Sequence, residues 1–271
     1  MNFDLEITTK QVVNLARAAG HFISTEMKKI SDKDIEYKGI HNLVTYVDKT
    51  SEKMLVEELG KLVPQAGFIA EEDSSLQRGE RFNWIVDPLD GTTNFIHGVP
   101  LFSISIALTD GEETIIGVVY EVNLKEAFYA WKGSPSFLNG KQVTVSSKKS
   151  LNDSLIATGF PYYDYSLLDP YLEVFKDLMK TTQGVRRLGS AAVDLAYVAC
   201  GRYDLFYEYG LNPWDVAAGA FVVQQASGKI TTFTGTNGYL FGKQIVASNE
   251  LVHEEFLNKI AHWFKGYNEV V

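Results

Sequence analysis

The chain has 271 residues, of which 45% are hydrophobic, so it can bury a sizeable core in one compact unit of two packed halves. Its net charge of −9 argues against a nucleic-acid-binding groove, because such a groove needs clustered Lys and Arg. The polar start, the lack of an apolar segment of membrane-spanning length and the single cysteine, Cys200, predict a cytoplasmic protein without a signal peptide, membrane anchor or internal disulfide.

The first part of the chain is predicted to form two helices followed by a sheet. Apolar residues recur at helical spacing over residues 12–27, and residues 49–62 repeat the pattern. Strand-like runs then follow one another in hairpin-like succession, which indicates a mostly antiparallel sheet. These runs cover residues 68–70, 84–86, 103–108, 115–122 and 126–131.

A change of composition divides the chain. Residues 132–150 are rich in Gly, Ser, Pro and Lys, which predicts a linker between an N-terminal α+β half, residues 1–146, and a C-terminal α/β half, residues 147–271. Beyond the linker, strand-like and helical patterns alternate, so the predicted fold class is α/β (α+β) with an active site between the halves. The later elements are strands at 154–158 and 205–209, and helices from about residue 170 and over 190–199, 216–226 and 254–264.

The run WIVDPLDGTTNF, residues 84–95, has the composition of a site for metal ions. Asp87 and Asp90 lie three residues apart across a turn at Pro88, which lets the carbonyl oxygen of Leu89 face the same point. Carboxylate and carbonyl oxygens are the ligands that Mg²⁺ prefers. The first half of the motif therefore indicates a magnesium site that the acids Asp87 and Asp90 would form.

The second half of this motif suits a phosphate. Gly91 allows the backbone to approach a ligand closely, and the amides of Thr92 and Thr93 would be free donors for an anion if they open a helix. Metal and phosphate would then meet at one turn. The alternative is an ordinary Asp-Pro and Asp-Gly turn that joins two structural elements.

Two further acidic segments could complete the site. Glu71 and Glu72 follow the apolar stretch 67–70, and adjacent strands could bring them to the motif, although alone they would be a solvated strand end. Asp215 lies just before the predicted helix 216–226, where an acid commonly caps a helix. Together with the central motif, these acids make a carboxylate set typical of Mg²⁺ sites that share a phosphate.

These segments together resemble the inositol monophosphatase family of Mg²⁺-dependent phosphatases. The resemblance rests on Glu71-Glu72, on DPLDGTTNF and on GLNPWDVAAGA, and it extends from the segment at Lys38 through residues 189–192. It implies a layered αβαβα sandwich of two packed halves, like that of inositol monophosphatases and fructose-1,6-bisphosphatases. It also implies a homodimeric, lithium-sensitive phosphatase with a small phosphorylated substrate.

The resemblance assigns metal-binding roles to particular residues. Glu71, Asp87 and the Leu89 carbonyl would hold one Mg²⁺ ion, and Asp87 would bridge to a second ion held with Asp90 and Asp215. The predicted catalytic residues are Glu71, Glu72, Asp90 and Thr92.

In this scheme the first ion, Glu71 and the Thr92 hydroxyl would activate the attacking water. Glu72 would support the site through a further ion or water, which gives two or three ions in all. Lys38 matches a family lysine near the metal site.

The resemblance also assigns substrate-binding residues. Backbone amides after the second aspartate of the motif would bind phosphate oxygens, while Asp90, the Ala191 amide and Glu208 would bind substrate hydroxyls. The full predicted set is Asp90, Gly91, Thr92, Thr93, Gly189, Ala191, Glu208 and Asp215.

The substrate itself stays open at this stage. The favoured substrate is inositol monophosphate or a similar small polyol or sugar phosphate. The alternatives are fructose 1,6-bisphosphate, histidinol phosphate, NADP or a nucleotide 3′-phosphate. Thr93-Asn94 is the form typical of inositol monophosphatases, whereas the nucleotidase relatives have Lys-Glu there. A non-catalytic protein that binds Ca²⁺ or a partner is the alternative from another class, although DPLDGTTNF lacks the acid spacing of an EF-hand.

Overall fold

The structure is a computed structural model that describes residues 3–37, 43–73 and 76–267. Within these residues, helices and two large β-sheets alternate in five layers. The layers follow from how each element buries its apolar side, and they bring the acidic segments together at one place.

The first layer is a pair of helices, α1 (Leu5–Glu26) and α2 (Tyr46–Leu62), at the two segments predicted from apolar periodicity. A short antiparallel hairpin of β1 (Ile35–Tyr37) and β2 (Leu43–Thr45) leads into α2. The sequence pattern did not predict this hairpin, whose strands are only three residues long.

The second layer is a seven-stranded sheet with its strands in chain order. The first pair is parallel and all later pairs are antiparallel, so the predicted mostly antiparallel sheet is confirmed. The strands are β3 (Gly67–Ala70), β4 (Phe82–Asp90), β5 (Ser103–Asp110), β6 (Glu113–Glu121), β7 (Glu126–Trp131), β8 (Ser136–Leu138) and β9 (Lys141–Val143). A short helix, α3 (Thr92–Ile96), follows β4 directly.

The prediction of a linker at residues 132–150 was wrong for its first part. β8 and β9 form a hairpin there and extend the sheet. The ring of Phe137 stacks on Tyr129 and Trp131 with centroid distances of 5.4 Å, which holds the hairpin against β7. Strands of three residues depend on such contacts more than on composition, so composition alone did not find them.

The third layer consists of α5 (Ala191–Ala199) and α6 (Pro213–Gln225), which lie between the two sheets. Every residue of α5 is buried, as expected for a helix that is apolar on nearly all sides. Small residues allow close packing: a Cβ added at Gly117 of β6 would come within 2.8 Å of the Ala218 carbonyl oxygen in α6.

The fourth layer is a five-stranded sheet. β10 (Leu155–Thr158) and β12 (Leu205–Tyr209) occupy the two predicted strands and pair in parallel. β11 (Gly184–Arg186), β13 (Lys229–Thr231) and β14 (Gln244–Ser248) were not predicted, and the order is β11-β10-β12-β14-β13.

The fifth layer is formed by α4 (Leu168–Thr181) and α7 (His253–Trp263), which cover the outer face of the second sheet with a core rich in aromatic residues. The order of layers is therefore α, β, α, β, α, and the implied αβαβα sandwich is confirmed. The seven-stranded sheet precedes residue 147 and the five-stranded sheet follows it, while the α5 and α6 layer packs on both. The division at residue 146 into two halves stays a prediction.

Candidate active site

The end of β4 positions the first two acids of the site. β4 pairs with β5 up to Asp87 and again at Asp90, and the register shifts between these two residues. Within this bulge, Asp87 Oδ1 accepts a hydrogen bond from the Leu89 amide at 2.9 Å. A bulge re-aims the side chains around it, and here it brings the Asp87 and Asp90 carboxylates close together.

Asp215 joins these acids from the first turn of α6. The helix begins at Pro213, three residues before the predicted start, so Asp215 lies inside the helix instead of preceding it. The Asn212 amide donates a hydrogen bond to Asp215 Oδ2 at 2.6 Å in a reciprocal cap. One carboxylate oxygen from each of Asp87, Asp90 and Asp215 lies within 4.8 Å of the others, a spacing that could hold a metal ion.

Glu71 follows β3 directly and lies beside this group of three acids. Burial raises the pKa of its carboxyl well above the ordinary value, and the charges of Asp215 and Glu72 add to the rise. Glu72 does not line the same cavity, and its amide donates a hydrogen bond to Glu52 Oε2 at 2.9 Å. Of the predicted glutamate pair, the structure therefore brings Glu71 to the site and leaves Glu72 at its edge.

The four acids lie close enough to repel one another when they ionise. Burial raises the pKa of Asp87 and of Asp215 well above the ordinary range, with Glu71 adding to the rise at Asp87 and Asp90 adding to the rise at Asp215. No Lys or Arg in the described ranges forms an ion pair with these four acids. The hard oxygen donors and this repulsion both fit a divalent cation.

Next to the acids, the start of α3 provides donors for an anion. Gly91 precedes the helix with a φ of 96°, and a Cβ there would come within 3.2 Å of the carbonyl oxygens of Gly189 and Leu101. Both the left-handed backbone and the close approach favour glycine. Because no side chain of the described residues caps α3, its first amides could bind a phosphate.

The Thr92 hydroxyl lies between two oxygen acceptors. It is 2.9 Å from the Leu89 carbonyl oxygen and 3.1 Å from Asp48 Oδ1. The other carboxylate oxygen of Asp48 accepts hydrogen bonds from the amide and hydroxyl of Thr45 at 2.8 and 2.6 Å. This network fixes the Thr92 hydroxyl at the wall of the cavity.

Sequence reasoning missed two acids in α2, Asp48 and Glu52. Both are buried, and Glu52 Oε2 holds the backbone amide of Glu72. Their spacing of four residues places them on one face of α2, the face toward the site. The capping pattern Thr45-x-x-Asp48 could have located the start of α2, but it could not have shown that Asp48 reaches Thr92.

The opposite wall comes from the start of α5. Asp90 Oδ2 accepts hydrogen bonds from the Ser190 hydroxyl at 2.6 Å and from the Ala192 amide at 2.8 Å. Ser190 also caps α5 by accepting from the Val193 amide. Asp90 thus ties the bulge at the end of β4 to the start of α5.

Glu208 comes from β12 and is 6% exposed. Burial raises the pKa of its carboxyl to about 8, an effect that Arg187 opposes. The carboxylate lies tightly against Gly159, where an added Cβ would come within 2.0 Å of the Glu208 side chain. Only glycine at residue 159 leaves room for Glu208 in this position.

These residues surround one cavity of about 360 Å³. Its walls include every predicted metal-binding and substrate-binding residue: Glu71, Asp87, Leu89, Asp90, Gly91, Thr92, Thr93, Gly189, Ala191, Glu208 and Asp215. Lys38 lies outside the described residues, so its role near the metal site stays a prediction. The sequence analysis did not predict the loop with Phe160, Tyr162 and Tyr163, nor Arg187 and Asp194, which also line this cavity.

Residues 4–264 match the family model described as "Inositol monophosphatase family". The chain belongs to the inositol monophosphatase family. Nus factor SuhB of Pseudomonas aeruginosa is 41% identical over 250 residues, which cover 90% of this chain and 92% of that protein. The fructose-1,6-bisphosphatase/inositol-1-monophosphatase of Thermotoga maritima is 38% identical over 260 residues, which cover 96% and 95%.

A solved structure agrees with membership of the inositol monophosphatase family. The extragenic suppressor protein SuhB of Bartonella henselae superposes with a TM-score of 0.88 at 38% identity and covers 92% of this chain and 96% of its own. The family and these relatives indicate a phosphatase, although the relatives' names include both phosphatases and a Nus factor. No helix within the described ranges combines the length and the hydropathy that a transmembrane span requires.

Proposed function

We propose that this protein is a Mg²⁺-dependent phosphomonoesterase that hydrolyses inositol monophosphate, or a similar small polyol or sugar phosphate, to the alcohol and phosphate. The observation that carries the proposal is the group of Asp87, Asp90 and Asp215, whose oxygens lie within 4.8 Å of one another beside the start of α3. A phosphate monoester hydrolyses slowly because its charge repels the nucleophile and its leaving alkoxide is poor. A site that combines cations with amide donors reduces the charge repulsion and stabilises the leaving alkoxide.

The acids at this point would hold the metal ions. Glu71, Asp87 and the Leu89 carbonyl would hold one ion, and Asp87, Asp90 and Asp215 a second, while Glu72 would support the site through a further ion or a water. When bound, Mg²⁺ supplies positive charge and Lewis acidity, which favour both attack by water and departure of the ester oxygen. The mutual repulsion of the acids, which adds to the rise in the pKa of Asp87 and of Asp215, supports this assignment.

The attacking water would be oriented by Thr92. Its hydroxyl has two acceptors, Leu89 O and Asp48 Oδ1, so it can donate to one of them and direct its lone pairs at a water in the cavity. Glu71, beside the metal-binding acids, would accept the water proton, because burial and neighbouring acids raise the pKa of its carboxyl.

The phosphate and the alcohol would bind on opposite sides of the acids. The amides of Gly91, Thr92 and Thr93 would hold the phosphate oxygens at the start of α3. On the other side, Glu208 would accept hydrogen bonds from hydroxyls of the leaving alcohol, with the Ala191 amide as a donor. The water oxygen would attack phosphorus while Glu71 takes its proton, and the ester P–O bond would break. The alkoxide would take up a proton from water and leave past Glu208 as the alcohol.

Replacement of the bridging acid tests the proposal. Asp87→Asn keeps the size of the side chain but removes its charge, so we expect phosphate release to fall by more than about 10²-fold. Release from inositol monophosphate and from p-nitrophenyl phosphate would be measured with Mg²⁺ and with a chelator. Asp153→Asn, at an exposed acid outside the cavity, serves as the matched control. Turnover that persists in Asp87→Asn, or in the chelator, would contradict the two-metal assignment.

The same assay tests the alternative functions. The Thermotoga relative's name includes a fructose-1,6-bisphosphatase, so this sugar bisphosphate belongs in the substrate panel together with histidinol phosphate, NADP and a nucleotide 3′-phosphate. The name of the Pseudomonas relative, Nus factor, suggests a role in transcription as a second candidate. The acidic cavity of this chain favours catalysis instead. Sensitivity to Li⁺, a homodimeric state and a cytoplasmic location stay predictions.

A further inference from the structure

Asp194 is the one ionisable acid in α5, a helix whose other residues are apolar or aromatic. Its side chain is 1% exposed, and its Oδ1 atom is buried without a hydrogen-bond partner among the described residues. Nearly all buried polar groups in proteins are paired, and an unpaired acid in an apolar helix is costly. A hydrogen bond to a bound ligand would offset this cost.

Asp194 lies where a ligand could reach it, because it lines the cavity together with Glu208 and Arg187. Burial raises the pKa of Asp194, Glu208 and Asp90 add to the rise, and Arg187 opposes it, so these are the charged groups that surround its carboxyl. Arg187 donates a hydrogen bond from Nη2 to Tyr162 Oη at 2.7 Å. Its remaining donors make no ion pair with a carboxylate in the part of the chain that the structure describes.

The cavity wall has more acidic than basic side chains. Among the described lining residues, Arg187 is the one base, and the acids are Glu71, Asp87, Asp90, Asp194, Glu208 and Asp215. Four of these acids belong to the proposed metal site. Two acids, Asp194 and Glu208, then remain against one guanidinium at the side where the alcohol would bind.

We propose that Asp194 and Arg187, next to Glu208, form a subsite that binds neighbouring hydroxyl groups of the leaving alcohol and disfavours a second anionic group. The protein would then prefer monophosphates of neutral polyols to sugar bisphosphates. This inference rests on the proposed phosphatase function and specifies its substrate class.

The chemistry of the ligand decides between these two kinds of substrate. A hydroxyl group can donate to Asp194 and accept from Arg187 at the same time, whereas a phosphoryl group has acceptor oxygens to offer and carries negative charge. Arg187 would attract that charge, but the buried surroundings that keep the two neighbouring carboxyl groups from ionising would oppose it. The same surroundings that raise the pKa of Glu208 to about 8 would disfavour a second phosphate.

The test compares three substrates in Asp194→Asn: inositol monophosphate, fructose 1,6-bisphosphate and p-nitrophenyl phosphate. The amide keeps the size of the side chain but removes its charge and one acceptor. We expect kcat/KM for inositol monophosphate to fall about tenfold relative to p-nitrophenyl phosphate, the effect of one lost hydrogen bond to substrate. The ratio of kcat/KM for the bisphosphate to that for inositol monophosphate should rise by at least as much. A purely structural role for Asp194 would change all three substrates by one factor.

Asp204→Asn is the matched control, because Asp204 is another buried acid but accepts hydrogen bonds from Ser146 and from the Leu155 amide away from the cavity. It should leave the substrate ratios unchanged.

If Asp194→Asn folds poorly, Asp194→Ser replaces it, and the measurement is inhibition of p-nitrophenyl phosphate turnover by free inositol. This inhibition should weaken about tenfold. Unchanged ratios and unchanged inhibition overturn the subsite but not the phosphatase. Absence of wild-type turnover on all three substrates overturns the proposed function and the subsite with it.

Discussion

At the scale of single residues, Thr92 gives the most direct test of the chemistry. Its hydroxyl lies between Leu89 O and Asp48 Oδ1, while its amide belongs to the start of α3. Thr92→Ala removes the hydroxyl and keeps the amide. We expect kcat to fall about 10²-fold with little change in KM, because the water loses its orienting group and the phosphate keeps its donors.

Thr92→Ser is the control for this experiment, because it restores a hydroxyl and should recover most of kcat. Steady-state kinetics on inositol monophosphate measures both variants. A normal kcat in Thr92→Ala would show that the hydroxyl only stabilises the turn.

Glu208 separates recognition of the alcohol from the chemical step. It lines the cavity but is not one of the acids that lie within metal-sharing distance. Glu208→Ala leaves substrate hydroxyls unpaired in a partly dry pocket, which costs about 1–3 kcal/mol. The loss of kcat/KM should be large on inositol monophosphate and small on p-nitrophenyl phosphate, whose ring has no hydroxyls.

Glu208→Gln keeps the size and most of the acceptors of the side chain, so its effect should be mild. Equal losses on the two substrates in Glu208→Ala would move Glu208 from substrate recognition to support of the fold or the metal site.

The sequence predicted the chemistry of the site better than its support. Asp87, Asp90 and Asp215 could be recognised because their motifs together resemble those of a known family, whereas each acid alone could belong to an ordinary turn or helix cap. Asp48 and Glu52 lie within a helix of mixed polarity, where acids usually face solvent, so only the packing of α2 against the end of β4 shows that they are buried.

At the scale of elements, the close contact between α6 and β6 sets the position of Asp215. A Cβ on Gly117 would lie 2.8 Å from the Ala218 carbonyl oxygen, and backbone atoms cannot yield as a flexible side chain would. Gly117→Ala should therefore lower the free energy of unfolding by about 1–3 kcal/mol and weaken the stabilisation that Mg²⁺ provides, because α6 carries Asp215.

Gly60→Ala is the matched control in α2. A Cβ there meets only the Phe68 ring at 4.0 Å, and alanine is the better helix former. This variant should gain about 0.5–1 kcal/mol without changing the response to Mg²⁺. Urea denaturation with and without Mg²⁺ measures both variants, and equal stability of the two would refute the packing argument.

The elements that sequence reasoning found and missed differ in how they are stabilised. The long helices and the central strands have apolar patterns of their own, so periodicity predicted them. β11 and β13 are three residues long and gain their stability from pairing with β10 and β14, a contact that only the folded chain shows. The short hairpin of β8 and β9 was not predicted for the same reason.

At the scale of the whole molecule, His253 links stability to pH. The ring is buried, with Nε2 2.9 Å from the Thr231 hydroxyl and Nδ1 2.8 Å from the Ser248 hydroxyl. Burial lowers its pKa to about 4, and the charge of Lys229 adds to the effect. The unfolded chain takes up this proton near about pH 6.5, before the native state does. The stability contributed by neutral His253 is therefore complete above that pH and is lost as the pH falls toward 4.

The size of this loss is up to about 3 kcal/mol. Because other groups titrate in the same range, the measured quantity is the difference in unfolding free energy between the wild-type protein and His253→Gln. The difference should shrink as the pH is lowered from neutral to about 4.5. A difference that is independent of pH would show that the pKa of His253 is the same in the native and the unfolded state.

The three acids that meet at the end of β4 come from distant positions in the chain, and this separation matters during protein synthesis. A ribosome that has made the whole seven-stranded sheet has made Asp87 and Asp90 but has not yet made Asp215. The acidic group cannot assemble until α6 has been made and has packed onto that sheet. If the acids act as proposed, an unfinished copy would therefore release no phosphate from its substrate.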